Sequence, residues 1–185
     1  MKQKIDSTSL PKTASWIITT RCNMSCLHCY VPSGPQTDEL NSAQAKVVID
    51  KLANLGVKML IISGGEPLLR EDIFDICGHA ASKGICLSIC TNGSTLSADT
   101  IHKLKKCNLF NITVSLDGWN SEINDKLRNY KGAFEMACRG IKLCLENNVT
   151  VFIDTTITRL NYHSVQKMLP FCSSLGVDLI MFRRL

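Results

Sequence analysis

Short apolar runs alternate with longer amphipathic stretches along the 185 residues of this chain. The short runs are rich in Val, Ile and Leu, a composition typical of parallel strands that are covered on both faces. They predict six β-strands, at residues 15–20, 58–63, 86–91, 111–116, 150–156 and 178–182.

The amphipathic stretches carry apolar residues at helical spacing and predict five helices between the strands. These helices are expected at residues 42–55, 71–83, 97–106, 133–147 and 162–175. Asn41 and Gln44 have the spacing of a capping box at the start of the first helix. A residue that tolerates the left-handed conformation follows the end of four helices, as expected at their C-termini: Gly56, Gly84, Asn148 and Gly176.

Six strands that alternate with helices predict a parallel α/β fold. Because a βαβ crossover is almost always right-handed, the sheet is expected to be either barrel-like or doubly wound. We interpret residues 1–13 as a polar N-terminal segment and residues 14–185 as one core domain, which stops after strand six without a closing helix.

Ten cysteines are a high number for a chain of this length. No apolar export signal precedes them, so we interpret them as reduced thiols and metal ligands, and we expect a cytoplasmic protein. No run is long enough to span a membrane. The net charge of +5 is mild, and its basic residues form no convincing nucleic-acid footprint.

Polar and metal-binding residues collect after the predicted strands. In parallel α/β folds the loops at the carboxyl ends of the strands carry function. Every strand contributes such a segment here: the cysteine loop, Gly64 to Pro67, Thr91 to Gly93, Ser115 with Asp117 and Gly118, Asn161, and Arg183. Asp154, on the fifth strand, is expected either to face a substrate or to close a salt bridge.

Cys22, Cys26 and Cys29 follow the first strand within eight residues. Three thiolates on a short loop can hold a four-iron cluster and leave one iron open to a substrate. A thioredoxin-type motif leaves Cys22 unexplained, and a c-type haem site requires His where Tyr30 stands. A zinc site needs a fourth ligand, for which His28 is poorly placed between two cysteines.

Gly64, Gly65, Glu66 and Pro67 follow the second strand. Two glycines allow backbone carbonyls to approach a ligand closely, and Glu66 adds a carboxylate, so the loop could bind an ammonium group. Pro67 favours an extended Glu66. The alternative interpretation is a tight turn in which Glu66 lies near the positive end of the next helix.

With these two motifs, the chain resembles the radical S-adenosylmethionine (SAM) enzymes from Ala14 to Leu185. The three cysteines are similar to the cluster motif of that family, and the Gly64–Gly65–Glu66–Pro67 loop is similar to its second signature. Thr91–Asn92–Gly93 and the segment from Val114 to Gly118 also resemble recurrent family segments. The resemblance implies a TIM-barrel-like partial (β/α)6 barrel.

The resemblance also implies a set of ligands. Cys22, Cys26 and Cys29 would bind a 4Fe-4S cluster whose fourth iron takes the amino and carboxylate groups of SAM. Eight further positions would contact SAM: Gly64, Gly65 and Glu66 at the amino group, Ser115 near the carboxylate or ribose, Asp117 in the same region, Arg128 at the carboxylate, Arg183 near the sixth strand, and the backbone at His28 near the adenine. No side chain is required as a catalytic base.

The family chemistry would be reductive cleavage of SAM to a 5′-deoxyadenosyl radical that takes hydrogen from a substrate. The register resembles the subgroup that modifies peptides, proteins or tetrapyrroles, called SPASM-type. The implied partners are a peptide or small-molecule substrate and a reductant such as ferredoxin or flavodoxin, with neither nucleic acid nor membrane. The alternative is an iron–sulfur electron carrier or metal-binding module that does not cleave SAM.

Overall fold

The computed structural model describes residues 10–31, 38–177 and 179–184. The predicted N-terminal segment and the start of the predicted sixth strand lie partly outside these residues. The strands are β1 (Thr13–Ile17), β2 (Met59–Ser63), β3 (Cys86–Thr91), β4 (Leu109–Ser115), β5 (Val151–Ile157) and β6 (Leu179–Arg184). The helices are α1 (Ser42–Asn54), α2 (Ile73–Ser82), α3 (Ala98–Lys105), α4 (Ser121–Arg128), α5 (Ala133–Glu146) and α6 (Val165–Ser174).

All six strands form one parallel sheet in the order β1-β2-β3-β4-β5-β6. Because every strand lies beside its neighbour in sequence, the strand order never reverses as it does in a doubly wound sheet. The α/β prediction is therefore confirmed, and its barrel-like alternative is the correct one. The sheet remains open between β1 and β6 in the described part of the chain.

The prediction of five helices is wrong, because α4 (Ser121–Arg128) forms a sixth between β4 and α5. The side chain of Asn120 accepts a hydrogen bond from the Ile123 N–H and caps its start. This helix is difficult to recognise in the sequence because most of its residues are polar. Only Ile123 and Leu127 form an apolar stripe, which is one turn long.

The other element predictions agree with the structure within a few residues. The capping box is present, since Asn41 accepts from the Gln44 N–H and Gln44 accepts from the Asn41 N–H, each at 3.0 Å. All four predicted turn residues have positive φ angles: Gly56, Gly84, Asn148 and Gly176. Residues 162–164, predicted as the start of the last helix, form a separate 3₁₀ turn before α6.

The core lies between one face of the sheet and the helices. The side chains of Leu60, Ile62 and Ile89 lie on this face and are fully buried. Ile76 of α2 and Ile141 of α5 are fully buried in the same core. The opposite face of β2 is only partly covered, so burial alternates along that strand. The expectation that all strands are covered on both faces is therefore wrong for β1, β2 and β5, along which burial alternates.

Every helix in the described residues is too short or too polar to cross a lipid bilayer.

Candidate functional site

Backbone hydrogen bonds hold the cysteine loop against the glycine-containing loop. Beyond the ends of β1 and β2, the Gly65 N–H donates to the Thr19 carbonyl at 2.8 Å. The Glu66 N–H then donates to the Arg21 carbonyl at 2.7 Å. The hydrogen-bond ladder between the two strands therefore continues as far as Arg21. It fixes the backbone position at which Cys22 and the cysteine loop follow.

Gly64 and Gly65 are required by this contact. A Cβ atom on Gly64 would overlap the Thr19 carbonyl oxygen, and one on Gly65 would overlap the Arg21 carbonyl and Cys22 Cβ. Neither glycine is among the residues with positive φ. From the sequence, these glycines were expected to allow a close approach to a ligand. The close approach seen in the structure is to the backbone of the cysteine loop.

Glu66 is fully buried and extended, with φ −133° and ψ 103°. Its carboxylate accepts hydrogen bonds from Thr91 Oγ1 (2.9 Å) and from the N–H groups of Leu68 (3.1 Å) and Asn92 (2.7 Å). Burial nevertheless raises the pKa of Glu66 to about 7, because these donors only partly offset the loss of water. The side chain therefore joins the end of β2 to the end of β3.

Asn23, which sequence reasoning did not single out, extends the same connection to the β3 loop. Its Oδ1 accepts from Asn92 Nδ2 at 2.9 Å, and its Nδ2 donates to Ser94 Oγ at 2.9 Å. Glu39 was also missed, although it accepts from the Thr20 N–H at 3.0 Å. Both depend on partners tens of residues away, so no local pattern could reveal them.

The three motif cysteines are free thiols, of which Cys29 is exposed and Cys22 and Cys26 are half-buried. Burial raises the pKa values of Cys22 and Cys26. Nearby thiolates add to the rise, namely Cys26 and Cys29 at Cys22, and Cys29 at Cys26. The described residues contain no group of three or more His, Cys, Asp or Glu side chains that could hold a single metal ion. Three thiols are a donor set that a four-iron cluster can take, whereas a structural zinc site needs a fourth protein ligand.

A buried ionic group lies directly behind the cysteine loop. Asp117 is fully buried, and its Oδ2 lies 2.8 Å from Arg128 Nη2 and 3.2 Å from His28 Nε2. The contact with Arg128 is an ion pair, whereas His28 adds a charge only when protonated, and burial lowers its pKa. Neither contact has the alignment of a hydrogen bond. Arg128 Nη1 in turn lies 3.8 Å from Cys26 Sγ. We call Asp117, Arg128 and His28 the ionic cluster.

Helix α4 brings Arg128 into this cluster. The Leu127 carbonyl accepts a hydrogen bond from the Leu27 N–H at 2.9 Å, which joins the helix end to the cysteine loop. Gly118 allows the loop after β4 to pack closely against α4, since a Cβ atom there would lie 2.6 Å from the Asn124 N. The helix missed in the sequence is thus the element that positions one of the predicted site residues.

Ser115 and Arg183 lie at the other side of the same rim. Ser115 pairs in register with Asp154 of β5, and the Asp154 carboxylate forms an ion pair with Arg183 of β6. The salt-bridge alternative for Asp154 is therefore the correct one. The hydrogen bond and the charge of Asp154 hold the Arg183 pKa above its usual value.

The remaining cysteines are not gathered at the rim. Cys77, Cys107, Cys144 and Cys172 are buried in the apolar core. Cys90 lies half-buried on the open face of β3, where burial raises its pKa to about 11 and keeps it a neutral thiol.

Comparison with known proteins decides the family. A family model described as the radical SAM superfamily matches residues 16–172. The chain belongs to the radical SAM superfamily. The family resemblance stated from the sequence is thus confirmed.

Two relatives are similar to this protein over nearly the whole chain. An AdoMet-dependent heme synthase of Methanosarcina barkeri is 34% identical, over 93% of this chain and 50% of that protein. The mycofactocin maturase MftC of Mycolicibacterium smegmatis is 31% identical, over 94% of this chain and 44% of that protein. The chain spans about half the length of the curated relatives it matches.

The fold is shared with a solved structure. Streptococcus suis SuiB, crystallised with S-adenosylmethionine, superposes with a TM-score of 0.84 at 19% identity. The similarity covers 95% of this chain and 41% of SuiB. It supports the partial-barrel architecture implied by the sequence.

Proposed function

We propose that this chain is the core of an enzyme that binds a 4Fe-4S cluster and SAM at the carboxyl ends of its strands. One observation carries the proposal: the backbone ladder packs the three-cysteine loop against the glycine-containing loop. An electron carrier needs only the cysteines, whereas this arrangement adds a second polar loop beside them.

The proposed ligands follow from where the side chains lie. Cys22, Cys26 and Cys29 hold the cluster. The backbone of Gly64, Gly65 and Glu66 receives the amino group of SAM, because the Glu66 carboxylate is buried and already accepts three hydrogen bonds.

The SAM carboxylate and nucleoside are assigned to the rest of the rim. Arg128 meets the carboxylate with its buried Nε, which has no hydrogen-bond partner in the structure. Ser115 lies near the ribose, Arg183 borders the cofactor from β6, and the backbone at His28 lies near the adenine. Asp117 acts in the same region through its contacts with Arg128 and His28.

When bound, the cluster supplies one electron that cleaves SAM to methionine and a 5′-deoxyadenosyl radical, which abstracts hydrogen from the substrate. The residues of this chain bind and orient SAM and exclude water, and none is required to transfer a proton. The protein works in a reducing compartment such as the cytoplasm, where its thiols persist.

The substrate is proposed to be a peptide or a biosynthetic intermediate such as a tetrapyrrole. Support comes from the relatives, since one is a heme synthase and another matures mycofactocin. The electron donor is proposed to be a reductant such as ferredoxin or flavodoxin.

Anaerobic reconstitution with iron and sulfide tests the proposal. We expect a brown four-iron protein that releases 5′-deoxyadenosine when it receives dithionite and SAM. Cys26→Ala should lose both the cluster and the product, whereas Cys138→Ala, a half-buried cysteine of α5, should keep both. A folded protein with an intact cluster that releases no 5′-deoxyadenosine would be an electron carrier instead.

A further inference from the structure

The ionic cluster has contacts that a SAM ligand alone does not need. Asp117 is held from every side: its Oδ1 accepts from the Thr156 N–H at 2.8 Å, and its N–H donates to Asn124 Oδ1 at 2.9 Å. Its carbonyl accepts from Asn161 Nδ2 at 2.9 Å. The carboxylate is therefore fixed to the ends of β4 and β5.

This fixed carboxylate controls where Arg128 lies. The guanidinium is about nine-tenths buried, and its two terminal nitrogens point in different directions. Nη2 contacts Asp117 Oδ2, while Nη1 donates towards Cys26 Sγ. A buried cation without its counter-ion is costly, so loss of the carboxylate would displace the guanidinium towards water.

We infer that Asp117 is a positioning residue, which holds Arg128 against the Cys26 sulfur and thereby raises the reduction potential of the cluster. The inference rests on the proposed function, because it requires Cys26 to be a cluster ligand. Donors aimed at ligand sulfur, and positive charge nearby, stabilise the reduced cluster, which carries one more negative charge.

The sign of the shift separates positioning from simple electrostatics. Deleting a carboxylate near the cluster, with nothing else moved, would raise the reduction potential because a negative charge is lost. Releasing Arg128 from Cys26 would lower it, because a positive charge and a donor leave the sulfur. Asp117→Asn keeps the side-chain shape, so it can distinguish the two effects.

The experiment is an EPR-monitored redox titration of the reconstituted protein without SAM. We expect a lower midpoint potential in Asp117→Asn and in Arg128→Met. When both changes are combined, the potential should be no lower than in Arg128→Met alone, because the added change removes only a negative charge. Asp75→Asn is the matched control, since its carboxylate pairs with Lys46 at the surface of α2. Its potential should equal that of the unaltered protein.

A raised or unchanged potential in Asp117→Asn overturns the inference. If that variant does not fold, Arg128→Met decides alone, because an unchanged potential there removes the role of the guanidinium. Failure of the proposed function looks different: the unaltered protein would then bind no four-iron cluster or release no 5′-deoxyadenosine.

Discussion

Glu66 shows how far a motif residue can differ from the role that its sequence suggests. A carboxylate beside two glycines predicts an ammonium site, yet the side chain is buried and accepts hydrogen bonds from the β3 loop. The motif was recognisable in the sequence. The direction of its carboxylate was not, because Thr91 and Asn92 become neighbours only when the sheet forms.

The titration of Glu66 should be visible in stability. Its pKa of about 7 in the folded state exceeds the ordinary 4.5, so its contribution is fully present below pH 4.5 and is lost as pH rises through 7. A difference of this size corresponds to roughly 3 kcal/mol. We expect urea unfolding of the metal-free, reduced protein to show this decline, and Glu66→Gln to lack it.

His28 makes the comparison with Glu66→Gln necessary. Burial lowers the His28 pKa, so its contribution rises with pH over part of the same window and opposes the change from Glu66. Both proteins contain His28, and the difference between their curves reports Glu66 alone. Parallel curves from pH 5 to 8 would contradict the prediction.

Gly65 supports a second prediction at the residue scale. Gly65→Ala places a methyl group against the Arg21 backbone, which cannot move aside as a flexible side chain can. We expect a cost of about 1–3 kcal/mol in urea unfolding and a loss of most bound iron after reconstitution.

Gly78 provides the matched control. It lies inside α2, and a Cβ there meets nothing within 4 Å. Gly78→Ala should therefore stabilise the protein by up to about 1 kcal/mol and leave its iron content unchanged. Equal iron content in the two variants would show that the close approach at Gly65 is not needed.

At the scale of elements, periodicity predicted all six strands and five of the six helices. Helix α4 escaped because it spans only eight residues and is mostly polar. Its place depends on contacts with the cysteine loop rather than on a broad apolar face. Because α4 was not predicted, Arg128 could be named as a site residue, but its position in the fold could not be predicted.

The capping box of α1 gives a prediction at this scale. Asn41→Ala removes one acceptor and leaves the Gln44 N–H at the helix start without its side-chain partner. We expect the free energy of unfolding to fall by about 1 kcal/mol. Val47→Ala, on the half-exposed outer side of the same helix, should change it by less than half as much.

At the scale of the whole molecule, the fully buried face of the sheet provides most of the stability. Ile89 of β3 is 0% exposed, whereas Ile17 of β1 is 46% exposed. Ile89→Ala should cost about 2–5 kcal/mol, from lost burial and the cavity left behind. Ile17→Ala should cost less than half of that in the same denaturant titration, and equal costs would contradict this view of the core.

The overall architecture was predictable because alternation of strands and helices leaves few arrangements. The two motifs were predictable because each lies within a few consecutive residues. The ionic cluster was not, since Asp117 and Arg128 are eleven residues apart and His28 lies far upstream. Their meeting depends on the placement of α4 against the cysteine loop.

The sequential strand order affects how the protein can be made. Strands that pair are consecutive in the chain, so a nascent polypeptide can add each one to those already synthesised. The cysteine loop and the glycine-containing loop follow the first two strands. Residues 13–67 therefore contain both halves of the ladder that fixes the site, and they are synthesised long before the open edge at β6 exists.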